Sequence, residues 1–528
     1  MFSYRKFFLM HRVPGTVANS AGGYSFPVDN WTRLDRFLVL GSEGGSYYAS
    51  ERALTRENAE ATIKAIQKDG ERAVARIAEI SLSGRAPKND PAIFALALAA
   101  SLGSDRAKRA AMNAITEVCR TGTHLFQFAE TVEGFRGWGR GLRRGIAAWY
   151  TDKSTDKLAL QLIKYRQRGG WEHRDLLRLA HPVTADPARK ALFDWVCRGK
   201  EDKALPEIAK AFLSVQKATD ADEIAALILK HDLPREAVPT EWLNDAKVWR
   251  ALLQRMPMTA LIRNLGKLSS VGVLKPLSDG LPYVLSALGD TGRIRKARVH
   301  PLAILLALKT YAQGHGEKGS LTWEPAPQVI DALNAAFYTA FANVEPTGKR
   351  MLLALDVSGS MAGGRIAGTS LSPREGSAAM ALMTAATEEN YHIVGFTATD
   401  ATHGWSQGAV LKPLPLSPGM RLDDAVRAVE NLPFGGTDCA LPMLHALEQG
   451  LPVDAFVVYT DSETWAGKIH PAEALREYRR RTGIPAKLVV VGMVSNGFSI
   501  ADPNDGGMLD VVGFDAAAPA LIADFIRG

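Results

Sequence analysis

The run Leu352-Leu353-Ala354-Leu355-Asp356-Val357-Ser358-Gly359-Ser360 decides the fold of the last third of this 528-residue chain. Its first four residues are apolar, as expected of a strand that is covered on both faces of a parallel sheet. An Asp-x-Ser-x-Ser loop follows at once, where such a strand hands over to a helix. Open α/β sheets bind ligands at this carboxyl edge. The run therefore places one carboxylate and two hydroxyls at a ligand-binding edge.

Strands and helices alternate through residues 346–528, which predicts a doubly wound, Rossmann-like α/β domain of about 180 residues. The predicted strands are Arg350–Leu355, His392–Phe396, Ala455–Tyr459 and Lys487–Val491. The predicted helices are Ser377–Glu389, Arg421–Asn431, Ala440–Glu448 and Pro471–Arg481.

Two more loops fall at the same edge of the predicted sheet. Phe434–Asp438 precedes a helix and carries Thr437, and Asp461 follows the strand Ala455–Tyr459. Carboxylate and hydroxyl oxygens suit Mg²⁺, which takes about six oxygen ligands and keeps several waters. The predicted metal set is Asp356, Ser358, Ser360, Thr437 and Asp461, with a position open for a partner's carboxylate or a phosphate. A chance helix N-cap at the Asp-x-Ser-x-Ser loop is the alternative.

The metal set resembles the metal-ion-dependent adhesion site of von Willebrand factor A domains, with all five positions filled in order. That resemblance implies a partner-docking module rather than an enzyme. A hydrolase is the competing hypothesis, but no His/Asp pair or Gly-x-Ser-x-Gly surrounds Ser358, and no general base is evident. We therefore predict a protein without catalytic activity.

Residues 1–345 have a different pattern, in which amphipathic segments of about ten to eighteen residues alternate with short breaks. Successive helices of this kind predict an irregular, HEAT-like stack with a curved or closed surface. A compact all-α domain is the alternative. The segments are Glu57–Gln67, Glu71–Ser81, Pro91–Ser101, Asp105–Cys119, Leu158–Arg168, Ala188–Cys197, Ala204–Val215, Ala221–Leu229, Val248–Leu253, Pro301–Tyr311 and Pro327–Phe341.

Charge divides the chain as sharply as the helix pattern does. Residues 1–345 carry 49 basic and 36 acidic side chains, a net of +13, whereas residues 346–528 carry 14 and 20, a net of −6. Such asymmetry indicates nucleic acid on the basic side, although a solvated Arg-rich surface is the plainer explanation. The three cysteines are far apart and predict a reducing compartment, the cytoplasm. No apolar run predicts a membrane span, and no apolar leader predicts secretion.

The densest positive stretch, 136–178, holds 11 basic and 4 acidic residues with aromatic side chains between them. Cations attract phosphates, and Arg and aromatic planes can stack on unpaired bases. Helical spacing predicts that Lys164 and Arg168 share one face of a helix end and that a second basic stripe lies nearby. Trp149 and Trp171 are predicted to be structural, and His181 to be a surface or capping residue. The predicted RNA-binding cations are Lys164, Arg166, Arg168, Arg140, Arg143 and Arg144.

Five segments resemble the Ro autoantigen (TROVE) family: NWTRLDRFL at 30–38, GSEGGSYY at 41–48, KYRQRGGW at 164–171, VEPTGKR at 344–350 and TDSETWAG at 460–467. The likeness covers essentially the whole chain, which looks like a bacterial member. It implies a ring of HEAT-like repeats over residues 1–345 joined to a von Willebrand A domain over 346–528. It further implies that a Y RNA binds the outer face of the ring, with contacts that fall here on Lys164, Arg168 and His181.

The resemblance also implies that the hole of the ring takes single-stranded 3′ ends of misfolded or precursor structured RNAs. Family members in bacteria are associated with 3′-to-5′ exonucleases such as polynucleotide phosphorylase, in ribosomal RNA maturation and stress survival. A monomer is expected, and a larger assembly with RNA is the alternative. The rival hypothesis is a metal-dependent adhesion or assembly scaffold, in which the helical array is only a spacer. The charge of +13 argues against that scaffold.

Overall fold

A computed structural model describes residues 12–43, 45–46, 48–297, 299–316, 320–340, 345–366, 369–397, 410–430, 435–514 and 517–528. Six residues named in the sequence motifs and segments lie outside this part of the chain: Gly44, Tyr47, Phe341, Val344, Asn431 and Phe434. No helix within the described residues combines the length and the apolar character that a bilayer span requires.

The first part of the chain is a succession of helices. Its elements are β1 (Val17–Ala18), β2 (Tyr24–Pro27), α1 (Asn30–Leu40), α2 (Glu51–Lys68), α3 (Gly70–Ser83), α4 (Asp90–Leu102), α5 (Asp105–Asn113), α6 (Ile115–Val118), α7 (Gly122–Phe135), α8 (Arg140–Thr151), α9 (Thr155–Lys164), β3 (Gln167–Arg168), β4 (Trp171–Glu172), α10 (His173–Ala180), α11 (Pro187–Arg198), α12 (Glu207–Val215), α13 (Ala221–His231), α14 (Ala246–Arg255), α15 (Met258–Ser270), α16 (Gly280–Gly289), α17 (Thr291–Lys296), α18 (Pro301–Ala312) and α19 (Pro327–Thr339). Two short 3₁₀ turns precede α14, at Arg235–Ala237 and Thr240–Asn244.

Local sequence explains where many of these helices begin. Asp29, Ser50, Asp69 and Ser104 each cap a helix, and each side chain accepts a hydrogen bond from a backbone N–H of the first turn. Such caps satisfy donors that the helix leaves free, and each contributes about 1 kcal/mol. The prediction of successive helices is confirmed.

Two predicted segments are interrupted. The helix expected over 105–119 breaks at Ala114, and the turn buries Ile115 and Val118 completely. The helix expected over 158–168 ends at Lys164, because the chain turns back at Gly169 and Gly170. These glycines have φ of +59° and +84°, which a two-residue hairpin turn of type I′ requires. Tertiary packing and turn chemistry override helical periodicity at both places.

The second part of the chain is a doubly wound sheet with helices on both faces. Its elements are β5 (Met351–Asp356), α20 (Gly359–Gly363), α21 (Pro373–Thr387), β6 (Tyr391–Thr397), β7 (Val410–Pro413), α22 (Leu422–Glu430), α23 (Leu441–Glu448), β8 (Ala455–Thr460), α24 (Pro471–Thr482), β9 (Lys487–Gly492), β10 (Phe498–Ser499), β11 (Met508–Val511) and α25 (Ala517–Arg527). The strand order in the main sheet is β11-β9-β8-β5-β6-β7, in which only β7 is antiparallel.

Strand β5 lies at the centre of this sheet and contributes to the cores on both faces. Leu353 and Leu355 belong to the large core that continues into the helical array, whereas Leu352 and Ala354 belong to the core on the opposite face. The alternation follows from the period of two along a strand. The sequence missed β7 and β11, which are short edge strands with polar residues, where the apolar signal is weakest.

The N-terminal hairpin β1–β2 precedes the helical array in the chain but packs against the sheet domain. Strand β2 pairs antiparallel with β10, and Phe26 enters the core on the outer face of the main sheet. At the other side of the junction, the Tyr338 hydroxyl of α19 donates to the backbone oxygen of Met420, 3.0 Å away. The two parts of the chain are therefore joined near both ends of the helical array.

The beginning and the end of the helical array are in contact, through His300 and Arg85. His300 Nε2, just before α18, donates a hydrogen bond of 3.2 Å to the backbone oxygen of Arg85, just after α3. His300 Nδ1 accepts from the backbone N–H of Leu302 at 3.1 Å and caps α18. This contact brings an early and a late helix of the array together, as a ring requires.

Candidate metal and nucleic-acid sites

The carboxyl edge of the sheet brings the predicted metal residues close together. Asp356 ends β5, and its Oδ1 accepts from the backbone N–H of Ser358 at 2.9 Å. Its Oδ2 accepts from the Thr460 hydroxyl at 2.7 Å. Ser358 Oγ lies 3.1 Å from Ser360 Oγ. The Asp-x-Ser-x-Ser loop thus presents one carboxylate and two hydroxyls side by side.

The other two predicted residues come from the neighbouring loops. Asp461 follows β8 and hydrogen-bonds to the Ser360 side chain, while its Oδ1 accepts from the backbone N–H of Glu463 at 3.0 Å. The Thr437 loop adjoins it, because the backbone N–H of Trp465 donates to the Thr437 oxygen at 3.0 Å. Four of the five residues form one hydrogen-bonded set, and Thr437 lies on the loop beside it.

All five residues are buried, with between 0 and 4 % of their surface exposed. Burial raises the pKa of Asp356, and burial together with the Asp356 carboxylate raises the pKa of Asp461. Two carboxylates close together in a buried site disfavour each other's ionised form, and a cation between them would relieve this cost. The hard oxygen donors fit a divalent cation such as Mg²⁺.

No group of three or more His, Cys, Asp and Glu side chains is placed to hold a metal ion in the described part of the chain. The site at the sheet edge would instead combine two carboxylates with three hydroxyls. Whether it holds a metal stays a prediction.

Sequence reasoning missed a buried arginine that holds the Asp-x-Ser-x-Ser loop in place by hydrogen bonds to its backbone. Arg374 of α21 is 2 % exposed and donates to the backbone oxygens of Val357 and Ser358. Gly436 is needed for a different reason, since a Cβ there would lie 2.5 Å from the Trp465 ring. The three loops are therefore fixed by packing that no local motif reveals.

Sequence reasoning also missed the residues that close the site from the N-terminal side. The Tyr48 hydroxyl hydrogen-bonds to Ser360, and burial and the nearby carboxylates raise its pKa. Glu463 Oε2 accepts from the backbone N–H groups of Ser20, at 2.8 Å, and Ala21, at 3.3 Å. The chain's own N-terminal region therefore covers the edge at which an open position for a partner is predicted. The segments 41–48 and 460–467, which carry the family resemblance, were the available signal.

The predicted RNA-binding residues lie instead on the surface of the helical array. Arg140, Arg143 and Arg144 are exposed on α8 at helical spacing. Arg166 and Arg168 are exposed around the β3–β4 hairpin, and Lys164 is half-buried at the end of α9. His181 is exposed and caps α10 in the left-handed conformation, as predicted.

The prediction that Lys164 and Arg168 share one helix face is wrong, because α9 ends at Lys164 and Arg168 lies on strand β3. The two basic stripes are instead neighbours through an aromatic contact. The half-buried Trp138, just before α8, packs against Trp171 of β4 with ring centroids 5.8 Å apart. Trp149 is fully buried and is structural, as predicted.

The six Lys and Arg candidates have no ion-pair partner among the described residues, in contrast to the nearby Arg198, which pairs with Asp194 at 3.0 Å. Lys164 and Arg166 lie 5.5 Å from the ring centroids of Tyr165 and Phe212. Exposed cations without a carboxylate partner remain available to an external polyanion. This basic surface, defined by Lys164, Arg166, Arg168 and the three arginines of α8, is the candidate nucleic-acid interface.

Two family models match the chain, and together they cover nearly all of it. The Ro60 vWA domain matches residues 350–526, and the TROVE domain matches residues 17–233 and 227–349. The chain belongs to the Ro60 (TROVE) family.

Relatives in this family are similar over almost their whole length. An RNA-binding protein RO60 of Deinococcus radiodurans is 43% identical over 518 residues, 97% of this chain and 95% of that protein. An RNA-binding protein RO60 of Caenorhabditis elegans is 38% identical over 595 residues, 97% of this chain and 90% of that protein. The crystal structure of the Deinococcus radiodurans RO (RSR) protein matches with a TM-score of 0.70 and 42% identity, over 95% of this chain and 100% of that one.

These matches confirm the predicted family and the predicted fold, a helical-repeat region followed by a von Willebrand A domain. The relatives are described as RNA-binding proteins and neither family model describes an enzyme, which agrees with the prediction of a non-catalytic protein.

Proposed function

We propose that this Ro60-family chain is a non-catalytic RNA-binding protein whose basic surface holds a small structured RNA of the Y RNA class. The observation that carries the proposal is the mostly exposed basic surface, whose cations have no carboxylate partner among the described residues, in a helical part whose net charge is +13. Relatives described as RNA-binding proteins, similar along the whole chain, support it.

Recognition at this surface is electrostatic and follows the shape of the RNA backbone. Lys164, Arg168 and the arginines of α8 attract phosphates, and each neutralised phosphate releases counterions. Arg166 beside Phe212 and the Trp138–Trp171 pair supply planar groups at the same surface. His181 at the exposed end of α10 extends the surface by one polar ring.

The ring of helices is proposed to select RNAs by their single-stranded 3′ ends. The His300–Arg85 contact supports a closed array. A hole through such an array admits a single strand and excludes a duplex, since an A-form helix is much wider than an unpaired chain. Misfolded noncoding RNAs and ribosomal RNA precursors carry such ends.

The sheet domain is proposed to hold Mg²⁺ at Asp356, Ser358, Ser360, Thr437 and Asp461. The ion would supply positive charge between two buried carboxylates, and the hydroxyls of Ser358 and Ser360 complete a set of hard oxygen donors. This function is structural and includes no chemical step on RNA.

In the cell, we propose that the protein acts in the cytoplasm in RNA quality control and in ribosomal RNA maturation. It would present RNA ends to a 3′-to-5′ exonuclease such as polynucleotide phosphorylase, and it would support survival under stress. The resemblance to bacterial family members is the support for this setting, and a co-purification of tagged protein from cells before and after stress tests it.

A gel-shift titration of the full chain tests the RNA proposal. Three probes separate its parts: a Y-RNA-like hairpin with blunt ends, the same hairpin with a single-stranded 3′ tail, and duplex DNA of equal length. We expect both RNAs to bind more tightly than the DNA, and the tailed RNA to bind most tightly. We also expect affinity to fall with salt by roughly one log unit per log unit for each neutralised phosphate.

Equal affinity for the DNA and both RNAs, or no binding at low salt, would contradict the proposal. Loss of the tail's advantage alone would contradict only the role of the hole. RNA cleavage in the presence of Mg²⁺ would show the enzyme that the sequence does not predict.

A further inference from the structure

Tyr48 belongs to the helical part of the chain but lies at the metal edge. This name denotes the carboxyl edge of the sheet that carries Asp356, Ser358, Ser360, Thr437 and Asp461. Its hydroxyl hydrogen-bonds to Ser360, and the carboxylates of Asp356 and Asp461 are close enough to act on it electrostatically. Gly45 has φ of +68°, and a Cβ there would lie 2.5 Å from the backbone oxygen of Ala49. The turn that delivers Tyr48 is thus too tight to carry a side chain at Gly45.

The N-terminal hairpin β1–β2 and the turn within it make hydrogen bonds to the loop that carries Asp461. Asn19 Nδ2 donates to the backbone oxygen of Thr464 at 2.7 Å, and the Ser25 hydroxyl donates to that of Ser462 at 2.7 Å. The backbone of Gly23 approaches so closely that a Cβ there would lie 2.0 Å from the Thr464 oxygen. Ser462 has φ of +62°, an uncommon conformation that surrounding contacts must maintain.

These contacts explain why the metal residues are almost completely buried. The carboxyl edge of an isolated doubly wound sheet faces solvent, which is why such sheets bind ligands there. In this chain, the N-terminal hairpin region and Tyr48 cover the same edge. The Tyr48 side chain occupies a hydrogen bond to the hydroxyl of Ser360.

We propose that Tyr48 is the chain's own capping ligand at the metal edge, so that metal binding locks the N-terminal region of the helical part onto the sheet domain. The adhesion-type site would act within one molecule instead of recruiting a carboxylate from another protein. This proposal rests on the metal site proposed above. Because coupling free energies are reciprocal, a docked Tyr48 tightens metal binding by the same factor by which the metal tightens docking.

The test uses the full chain and Mg²⁺ alone, with Tyr48→Phe as the decisive variant. This change removes one oxygen and keeps the ring. We expect Mg²⁺ affinity, measured by isothermal titration calorimetry, to weaken by about fivefold, as the loss of one hydrogen bond at a closed site predicts. By reciprocity, hydrogen exchange of the backbone amides of residues 17–27 should be slowed about fivefold less by Mg²⁺ than in the wild type.

Two control variants keep the outcome clear. Tyr338→Phe also removes a hydroxyl that bridges the helical part and the sheet domain, but at Met420, so it should leave Mg²⁺ affinity and Mg²⁺-dependent protection unchanged. Asp356→Ala should abolish both effects of Mg²⁺. Equal Mg²⁺ affinity and equal protection in Tyr48→Phe and Tyr338→Phe would overturn the role of Tyr48.

The two proposals fail in different ways. If the wild type does not bind Mg²⁺, the metal site and the cap fail together. If the wild type binds Mg²⁺ and Tyr48→Phe binds it equally well, only the cap fails. The RNA-binding proposal depends on neither result, because it is measured by gel shift in a different part of the molecule.

Discussion

The basic surface and the metal edge carry the charged residues that are proposed to bind RNA and metal, and the two regions differ in the solvent exposure of those charges. The cations of the basic surface are mostly exposed and have no described carboxylate partner. The carboxylates Asp356 and Asp461 are buried, and loops from both parts of the chain surround them. One region presents its charge to the outside, and the other keeps its charge inside the molecule.

The difference follows from solvation. An exposed cation stays hydrated in the free protein and is available to bind an external polyanion. Salt screens the attraction between the cation and the polyanion. A buried carboxylate has lost its water and needs a cation or hydrogen bonds within the protein. The comparison predicts that changes at the basic surface alter binding, and that changes to buried charges alter stability.

The largest effect is expected at Arg36, a fully buried cation in α1 that joins the helical part to the sheet. Its guanidinium donates to the backbone oxygen of Phe498 at 2.7 Å and to Asp510 Oδ2 at 2.6 Å. Arg36→Met leaves that carboxylate without its charge partner, and should lower the free energy of unfolding by about 3–5 kcal/mol. Urea denaturation followed by circular dichroism measures the loss.

The matched control is Arg56→Met in α2, where the exposed guanidinium pairs with Glu60 at 3.1 Å. An exposed pair of this kind contributes less than about 1 kcal/mol. If both variants lose the same small amount, the buried clamp is not what joins the two parts.

The next largest effect is expected from the double variant Lys164→Ala/Arg168→Ala. Loss of two phosphate contacts should weaken binding of the structured RNA by about tenfold or more, and should lower the salt slope by roughly 2. Gel shifts at several salt concentrations give both quantities. The free energy of unfolding should change by less than about 1 kcal/mol, because Arg168 is exposed and Lys164 is only half-buried.

A control with the same change in net charge is Arg480→Ala/Arg481→Ala, on the exposed face of α24 in the acidic sheet domain, where both arginines pair with Glu477. RNA affinity should then change by less than about twofold, since the altered charges lie outside the basic surface. An equal loss in both double variants would mean that total charge, rather than the basic surface, governs binding.

The next effect is expected from pH, at the contact between His300 and Arg85. Burial lowers the pKa of His300 to about 4, below its ordinary value of about 6.5. As the pH falls below about 6.5, His300 is protonated in the unfolded chain but stays neutral in the folded chain. The free energy of unfolding therefore decreases until the pH reaches about 4, where the folded chain is protonated as well. His300→Asn keeps a capping side chain without titrating, and should reduce this slope by about 1.4 kcal/mol per pH unit.

Urea denaturation at pH 7, 6 and 5 measures the slope. His392→Asn, a change at an exposed histidine of β6, is the control and should leave the slope as in the wild type. A wild-type slope in His300→Asn would show that the protonation of other groups controls the acid sensitivity.

The smallest effect on RNA binding is expected from Asp356→Ala. The metal edge lies inside the molecule and the basic surface outside, so RNA affinity should change by less than about twofold, within the scatter of surface effects. Gel shifts at physiological salt with a folded variant measure this. A tenfold loss of affinity would remove the division of labour between the two regions.

Sequence patterns predicted the strand β5, the loops of Asp356 and Asp461, and most helices, because these depend on local periodicity and on motifs of a few residues. They failed at Arg168, where two glycines with positive φ turn the chain into a hairpin. They also failed to anticipate Tyr48, since a hydroxyl more than 300 positions away in the chain has no local signature of its contact with Ser360.

By itself the sequence determined which residues could attract phosphates and which could hold a hard cation, because residue type fixes the functional group that each side chain carries. Only the tertiary structure decided that the cations face solvent while the carboxylates face the chain's own N-terminal region. Exposure and closure arise from contacts between distant segments, and chain order alone does not specify them.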